Sequence, residues 1–144
     1  MLSLRTIWLC GLLLTAGVGV LFFNGRPAIA RRREVPKVVR VTDVQLQSEN
    51  IAGVWYHRLT GRVRNETATP AHNVQIYYEI YDSTSKRLLE AGLTQLRNRV
   101  INSEGEAEFL ATPNAGGRVK ITLVEWLSGD RQYHSFQQMQ EFSQ

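Results

Sequence analysis

Val54-Trp55-Tyr56-His57-Arg58-Leu59-Thr60-Gly61-Arg62-Val63-Arg64 is the stretch of the 144-residue chain on which the reading of the fold turns. In an extended strand, successive side chains leave on opposite sides. Trp55, His57, Leu59, Gly61 and Val63 then share one side, and Val54, Tyr56, Arg58, Thr60, Arg62 and Arg64 the other. The arginines belong in solvent, so the first set is expected to be buried.

The same period of two extends in both directions. Upstream, Val39, Val41, Val44 and Leu46 alternate loosely with polar residues, and Ser48-Glu49-Asn50 is expected to end that strand. Downstream, residues 65–70 are rich in turn formers. Val74, Ile76, Tyr78 and Ile80 then point one way, and Gln75, Tyr77, Glu79 and Tyr81 the other. Further strands are expected at 88–93, 95–101, 107–111, 118–127 and 132–136, separated by Asp82-Ser83-Thr84-Ser85, Asn102-Ser103-Glu104-Gly105 and Ser128-Gly129-Asp130. In the strand at 118–127, Val119, Ile121 and Leu123 are expected on one face, with Lys120, Thr122, Val124 and Trp126 on the other. The tail at 137–142 is expected to fray or to follow a sheet edge. About seven or eight short strands with a turn signal every ten residues or so describe one antiparallel β-sandwich over residues 38–144. Trp55, Leu59, Tyr78 and Ile80 are expected in its core.

Residues 7–23, IWLCGLLLTAGVGVLFF, are a different material. The run is uncharged, and as a helix it would reach roughly 26 Å, the short limit for crossing a bilayer core. Residues 1–24 are therefore expected to form a hydrophobic helix that anchors the chain. The competing expectation is a cleaved signal peptide with secretion after Ala30, although Arg31-Arg32-Arg33 directly behind that site disfavours it. Gly11, Thr15 and Gly19 recur every fourth residue, a face on which another membrane helix can pack closely, and small residues are also common in such segments. Residues 25–37, with Pro27 and Pro36, read as a basic extended linker.

The formal charge of +4 invites a nucleic-acid reading, which its distribution opposes. Residues 41–144 hold ten lysines and arginines against twelve acids, so the expected domain is mildly acidic and no nucleic-acid partner is expected. The positive charge gathers beside the apolar run, where Arg31, Arg32 and Arg33 can contact anionic lipid headgroups or serve as a solvated spacer. It also sets up a conflict of topology, because arginines behind the helix favour a cytoplasmic domain. The single cysteine, Cys10, lies within the apolar run, so the domain can hold neither an internal disulfide nor a thiolate metal site.

Leu59-Thr60-Gly61-Arg62-Val63-Arg64-Asn65, then Tyr78-Glu79-Ile80-Tyr81-Asp82, then Leu88-Leu89 resemble, in order and spacing, the FxLYD domain family. Tyr78 stands where the family has Phe and Ile80 where it has Leu, while Gly61, Val63 and Asn65 match its Gly-x-Val-x-Asn. Downstream, Ile101-Asn102-Ser103-Glu104-Gly105-Glu106 with Phe109 is similar to its apolar turn, Gly-Glu and buried Phe. The resemblance spans about residues 41–127. It implies an immunoglobulin-like sandwich, related in shape to the type-2 late embryogenesis abundant domains, often held at a membrane by one helix and outside the cytoplasm. It implies no activity and no cofactor. Its motif residues would be structural, with Gly61 making room for a facing side chain, Asn65 capping a loop and Asp82 starting a turn.

His57, His72 and His134 stand in no metal-binding spacing, and no G-x-S-x-G signature occurs. Glu104, Glu106 and Glu108 project on one side, as a solvated face more than as a cation site. Asn114-Ala115-Gly116-Gly117 precedes a strand and lacks the helix N-terminus of a phosphate cradle. Asn65-Glu66-Thr67 fits the glycosylation sequon. The expected function is a non-enzymatic, membrane-tethered interaction or scaffold module of a bacterial envelope, such as an accessory subunit of a membrane complex. Membrane lipid and a protein partner are the expected contacts, the latter through exposed Tyr77, Tyr81 and Trp126. The alternative is a small ligand-binding or enzymatic sandwich with an end pocket built on His57 or His134 and nearby carboxylates.

Overall fold

The computed structural model describes residues 36–142, and these are all-β. Eight strands follow one another: β1 (Val39–Ile51), β2 (Val54–Asn65), β3 (Ala71–Tyr81), β4 (Leu88–Gln95), β5 (Val100–Ile101), β6 (Glu106–Ala111), β7 (Arg118–Ser128) and β8 (Tyr133–Phe142). They form two antiparallel sheets, one ordered β1-β2-β6 and the other β4-β3-β7-β8, with β5 also paired to β3. The residues expected to anchor, span or contact a membrane, Gly11, Thr15, Gly19, Arg31, Arg32 and Arg33 among them, lie outside the described residues. Among the described residues, no helix is long and apolar enough to cross a membrane.

The inner faces of both sheets supply one core. Leu59, Ile76, Ile80 and Ile121 are fully buried in it, with Val39, Val63, Val119 and Val124 around them. Leu59 and Val63 on β2, and Tyr78 and Ile80 on β3, sit on the inner side that their alternation predicts. Gly61 is open for a reason, since the Phe109 ring of β6 lies where its side chain would be. Gly92 on β4 likewise makes way for the ring of Tyr78 opposite it.

Register slips occur also in β4 and β8, but three bulges, in β1, β3 and β7, decide which residues enter the core. Register slips between Val41 and Asp43 in β1, which is why Val39 and Val41 face inward and then Val44 and Leu46 do. In β3 the slip lies between His72 and Gln75, where Asn73 takes a positive φ of 50° and donates its N–H to the Arg99 carbonyl. In β7 the slip falls at Thr122, between Ile121 and Leu123. One extra residue exchanges the faces of all that follow. Val119 and Ile121 face inward as expected, but beyond the bulge Val124 and Trp126 do so, and Leu123 turns out.

Pairing corrects one other expectation and decides between the two alternatives for the tail, which follows a sheet edge. Residues 95–101 are not one strand, because β4 ends at Gln95 and Leu96 bridges to Phe109 of the other sheet, leaving only Val100–Ile101 to pair with β3. The tail at 137–142 is the second half of β8 along the edge of β7. From that edge the Gln138 side chain reaches β1 and copies a ladder, accepting from the Val41 N–H at 2.9 Å and donating to the Val41 carbonyl at 2.6 Å. This amide links the two sheets where no backbone pairing does.

Asn65, the last residue of β2, closes the end of the β1–β2 ladder where it pairs with Val39. Fully buried, it donates through Nδ2 to the carbonyls of Thr69, Ile101 and Asn102 at 2.9–3.1 Å, and Oδ1 accepts from the N–H and hydroxyl of Thr67. The Asn65-Glu66-Thr67 sequon is thus a packed turn, with its amide nitrogen fully engaged. Asp82 starts the β3–β4 turn, its carboxylate accepting from the N–H and hydroxyl groups of Thr84 and Ser85.

Candidate functional site

The β1–β2 hairpin runs past β6, the strand that flanks β2. Ser48-Glu49-Asn50 does not end β1; the chain stays paired until Ile51 meets Val54. The turn between them is Ala52-Gly53, with φ of 52° and 85°, the two positive values of the type I′ turn that matches strand twist. Asn50 Oδ1 accepts the Gly53 N–H at 3.0 Å and steadies it.

β6 follows β2 only to the Leu59–Ala111 pair, and Pro113, which is buried, ends its line. Beyond Leu59 the hairpin is therefore a bare two-stranded ribbon. Trp55 has the inward orientation that alternation predicts, yet it is 61 % exposed because, among the described residues, no strand of the other sheet lies opposite it. Its expected burial is thereby corrected. Ile51, Val54 and Tyr56 on the other side are each exposed by more than half. Exposed single apolar residues are ordinary, but four of them at one apex form a patch that folding does not require.

His57 props the ribbon. Its ring is parallel to Trp55 with centroids 6.4 Å apart, its Nδ1 lies 2.8 Å from Ser48 Oγ, and it packs so close to Gly116 that a methyl group there would meet its ring. Beside it, an open groove of about 850 Å³ runs between Tyr56, His57 and Arg58 on one side and Thr112, Pro113 and Asn114 on the other.

The surface expected at Tyr77, Tyr81 and Trp126 is divided. Tyr77 and Tyr81 lie on the outer face of the larger sheet, half-buried. Tyr77 donates to Glu125 at 2.8 Å and Tyr81 to Glu79 at 2.6 Å. Each hydrogen bond to a carboxylate, aided by burial, raises the phenol's pKa above its ordinary value. Trp126 is 5 % exposed and belongs to the core, carried inward by the Thr122 bulge and stacked on His134 at 5.4 Å.

His57 and His134 are at opposite ends of the strands and share no pocket. His134 does meet a serine and an aspartate: its Nε2 is 3.1 Å from Ser128 Oγ, which itself donates to Asp130. In a hydrolytic triad the imidazole stands between nucleophile and carboxylate. Here the serine stands between the other two, and Asp130 also accepts the Gln132 N–H, so the trio ties the β7–β8 turn. The glutamates at 104, 106 and 108 do not converge either. Glu104 lies in a turn, Glu106 pairs with Arg64 at 3.4 Å, and Glu108 faces Arg62 in register. Among the described residues, no three His, Cys, Asp or Glu side chains gather as metal ligands.

No family model matches the chain, and no curated protein does. Among solved structures, it is similar to the X-ray structure of Northeast Structural Genomics Consortium target SoR45, with a TM-score of 0.54 and 9 % identity over 72 % of this chain and 83 % of that one. At that identity the likeness concerns the fold.

Proposed function

We propose that this chain is a non-enzymatic interaction module whose contact surface is the hairpin apex at Ile51, Val54, Trp55 and Tyr56. The exposure of all four large apolar side chains at one apex carries the reading. Aromatic residues that project without a core to fill are the usual anchors of protein contacts. The apex takes the place of the expected Tyr77, Tyr81 and Trp126 surface.

The fold reading that goes with it is an immunoglobulin-like sandwich of the FxLYD type. Its supports are the order β1-β2-β6 against β4-β3-β7-β8, the glycine under an aromatic ring at Gly61, the loop cap at Asn65 and the turn at Asp82. We further propose that residues 7–23 tether the domain to a membrane, with Arg31, Arg32 and Arg33 at the headgroups and the domain outside the cytoplasm.

The test is photo-crosslinking in cells. Benzoylphenylalanine at position 55 or 56 is expected to yield a discrete adduct, and the same group at exposed position 93, on the other sheet, none. Equal labelling from all three positions would remove the apex as the contact surface.

A further inference from the structure

The hairpin apex also exposes backbone, and that limits what can bind there. The two-residue turn makes Ile51 and Val54 a hydrogen-bonded pair, and such pairs alternate with non-bonded ones along an antiparallel ladder. Tyr56 and Arg58 therefore direct their N–H and C=O groups to β1, while Trp55 and His57 direct theirs to the opposite edge. From Leu59 onward that edge is filled by β6. At Trp55 and His57 it is open, because among the described residues the β2–β6 ladder ends at Leu59–Ala111, and Pro113, next in line, has no N–H.

We propose that this open edge accepts an extended, acidic segment of a partner protein as an added strand, continuing the line that β6 leaves at Pro113. The inference rests on the interaction-module reading above and specifies its mode.

Charge complementarity indicates the chemistry of the segment. On the outward row of β2, Arg64 pairs with Glu106 of β6, and Arg62 faces Glu108 and bonds Asp43 at 3.4 Å. Arg58 is the next arginine of that row, lines the groove, and lies in no ion pair among the described residues. A strand in the groove would place alternate side chains on opposite sides. A carboxylate on the outer side meets Arg58, and an apolar residue on the inner side meets the exposed ring of Trp55. Main-chain bonds to Trp55 and His57 supply affinity, and these side chains supply specificity.

The open edge also decides against a lipid occupant. Driving the apex into hydrocarbon would carry the unpaired N–H and C=O groups of Trp55 and His57 away from every hydrogen-bond partner. An added strand satisfies them.

The test uses the full-length chain in detergent micelles and the fluorescein-labelled heptapeptide Thr-Val-Glu-Val-Glu-Val-Thr, followed by anisotropy. The peptide is expected to bind. N-methylation of its alternate amides should weaken binding at least tenfold in one frame and leave it nearly unchanged in the other, because only one set faces β2. Arg58→Glu should weaken it at least tenfold, and replacing the peptide's glutamates by lysines should restore it. Equal loss in both N-methyl frames, indifference to Arg58→Glu, or no binding at millimolar peptide would overturn the proposal. In nanodiscs of brominated phosphatidylglycerol, with Trp8→Phe in both chains, quenching that is lost on adding Trp55→Phe would put the apex in lipid and overturn it as well. Crosslinks from position 55 that persist alongside any of these failures would leave the interaction reading standing and remove only the strand mode.

Discussion

Leu59 and Trp55 lie four positions apart on β2 and face the same way, yet one is fully buried and the other is 61 % exposed. Leu59→Ala is expected to cost about 2–5 kcal/mol, the range for emptying a buried leucine site. Trp55→Ala should change stability by no more than about 0.5 kcal/mol, as surface changes do. Urea melts of the two variants check both. Asn65 offers a sharper case. Asn65→Asp keeps the acceptor that holds Thr67 but sets a carboxylate oxygen against three carbonyls, so it should destabilise more than Asn65→Ala, by more than about 2 kcal/mol overall. Equal melting of the two variants would show that the carboxylate is accommodated without repulsion from those carbonyls. Side-chain alternation made Leu59, Tyr78 and Ile80 legible as core, because period two reports which way a residue points. It carries no information on whether another sheet lies opposite, and Trp55 is where the two questions part.

At the scale of the element, bulges set the limit of what the sequence reveals. Val39, Val41, Val44 and Leu46 already show the β1 slip as a loose alternation. The β7 slip is silent, because Thr122, Leu123 and Val124 suit either face, and it is the pairing with β3 and β8 that fixes Trp126 inside. The aromatic surface therefore could not be read correctly from β7 alone. The hairpin apex was hidden for a related reason: Ala52-Gly53 is a modest turn signal, while Ser48-Glu49-Asn50 is a stronger one that the pairing overrides. The cross-strand pair of Tyr78 and Gly92 gives a test at this scale. A methyl group at Gly92 would collide with the far end of the Tyr78 ring, so Gly92→Ala should cost about 1–3 kcal/mol as overpacking. Tyr78→Leu in the same chain should recover part of that loss, which a double-mutant cycle in denaturant would read. Additive losses would mean that the ring simply moves aside.

For the molecule as a whole, pH acts at both ends of the scale. The hydrogen bond of Tyr133 to Glu125, with some burial, pushes its phenol up to about 12, and Tyr77 and Tyr81 are raised by their own carboxylates. A proton held more tightly in the folded chain stabilises it fully below the unfolded value, about 10, and that stability is lost as pH rises through 12. Melting temperature should therefore fall over that window, and Tyr133→Phe should lessen the fall. At the acid end, hydrogen bonds from Ser85 and Thr84 hold the Asp82 carboxyl well below its usual range. Its contribution is present above the ordinary carboxylate value and fades as pH drops below it, so Asp82→Asn should flatten the acid limb of the same curve. The proposed tether predicts that the full-length chain stays with the membrane pellet after alkaline extraction; release, with a new N-terminus at Arg31, would mean cleavage instead. The chain enters the domain at one end of β1, and the aromatic apex lies at the other, about 40 Å away for thirteen extended residues. Tension between the tether and a strand gripping Trp55 and His57 would therefore run up the backbone of β1, turn at Ala52-Gly53 and load the apical rungs of the β1–β2 ladder in shear, so that one hairpin carries the pull for the domain.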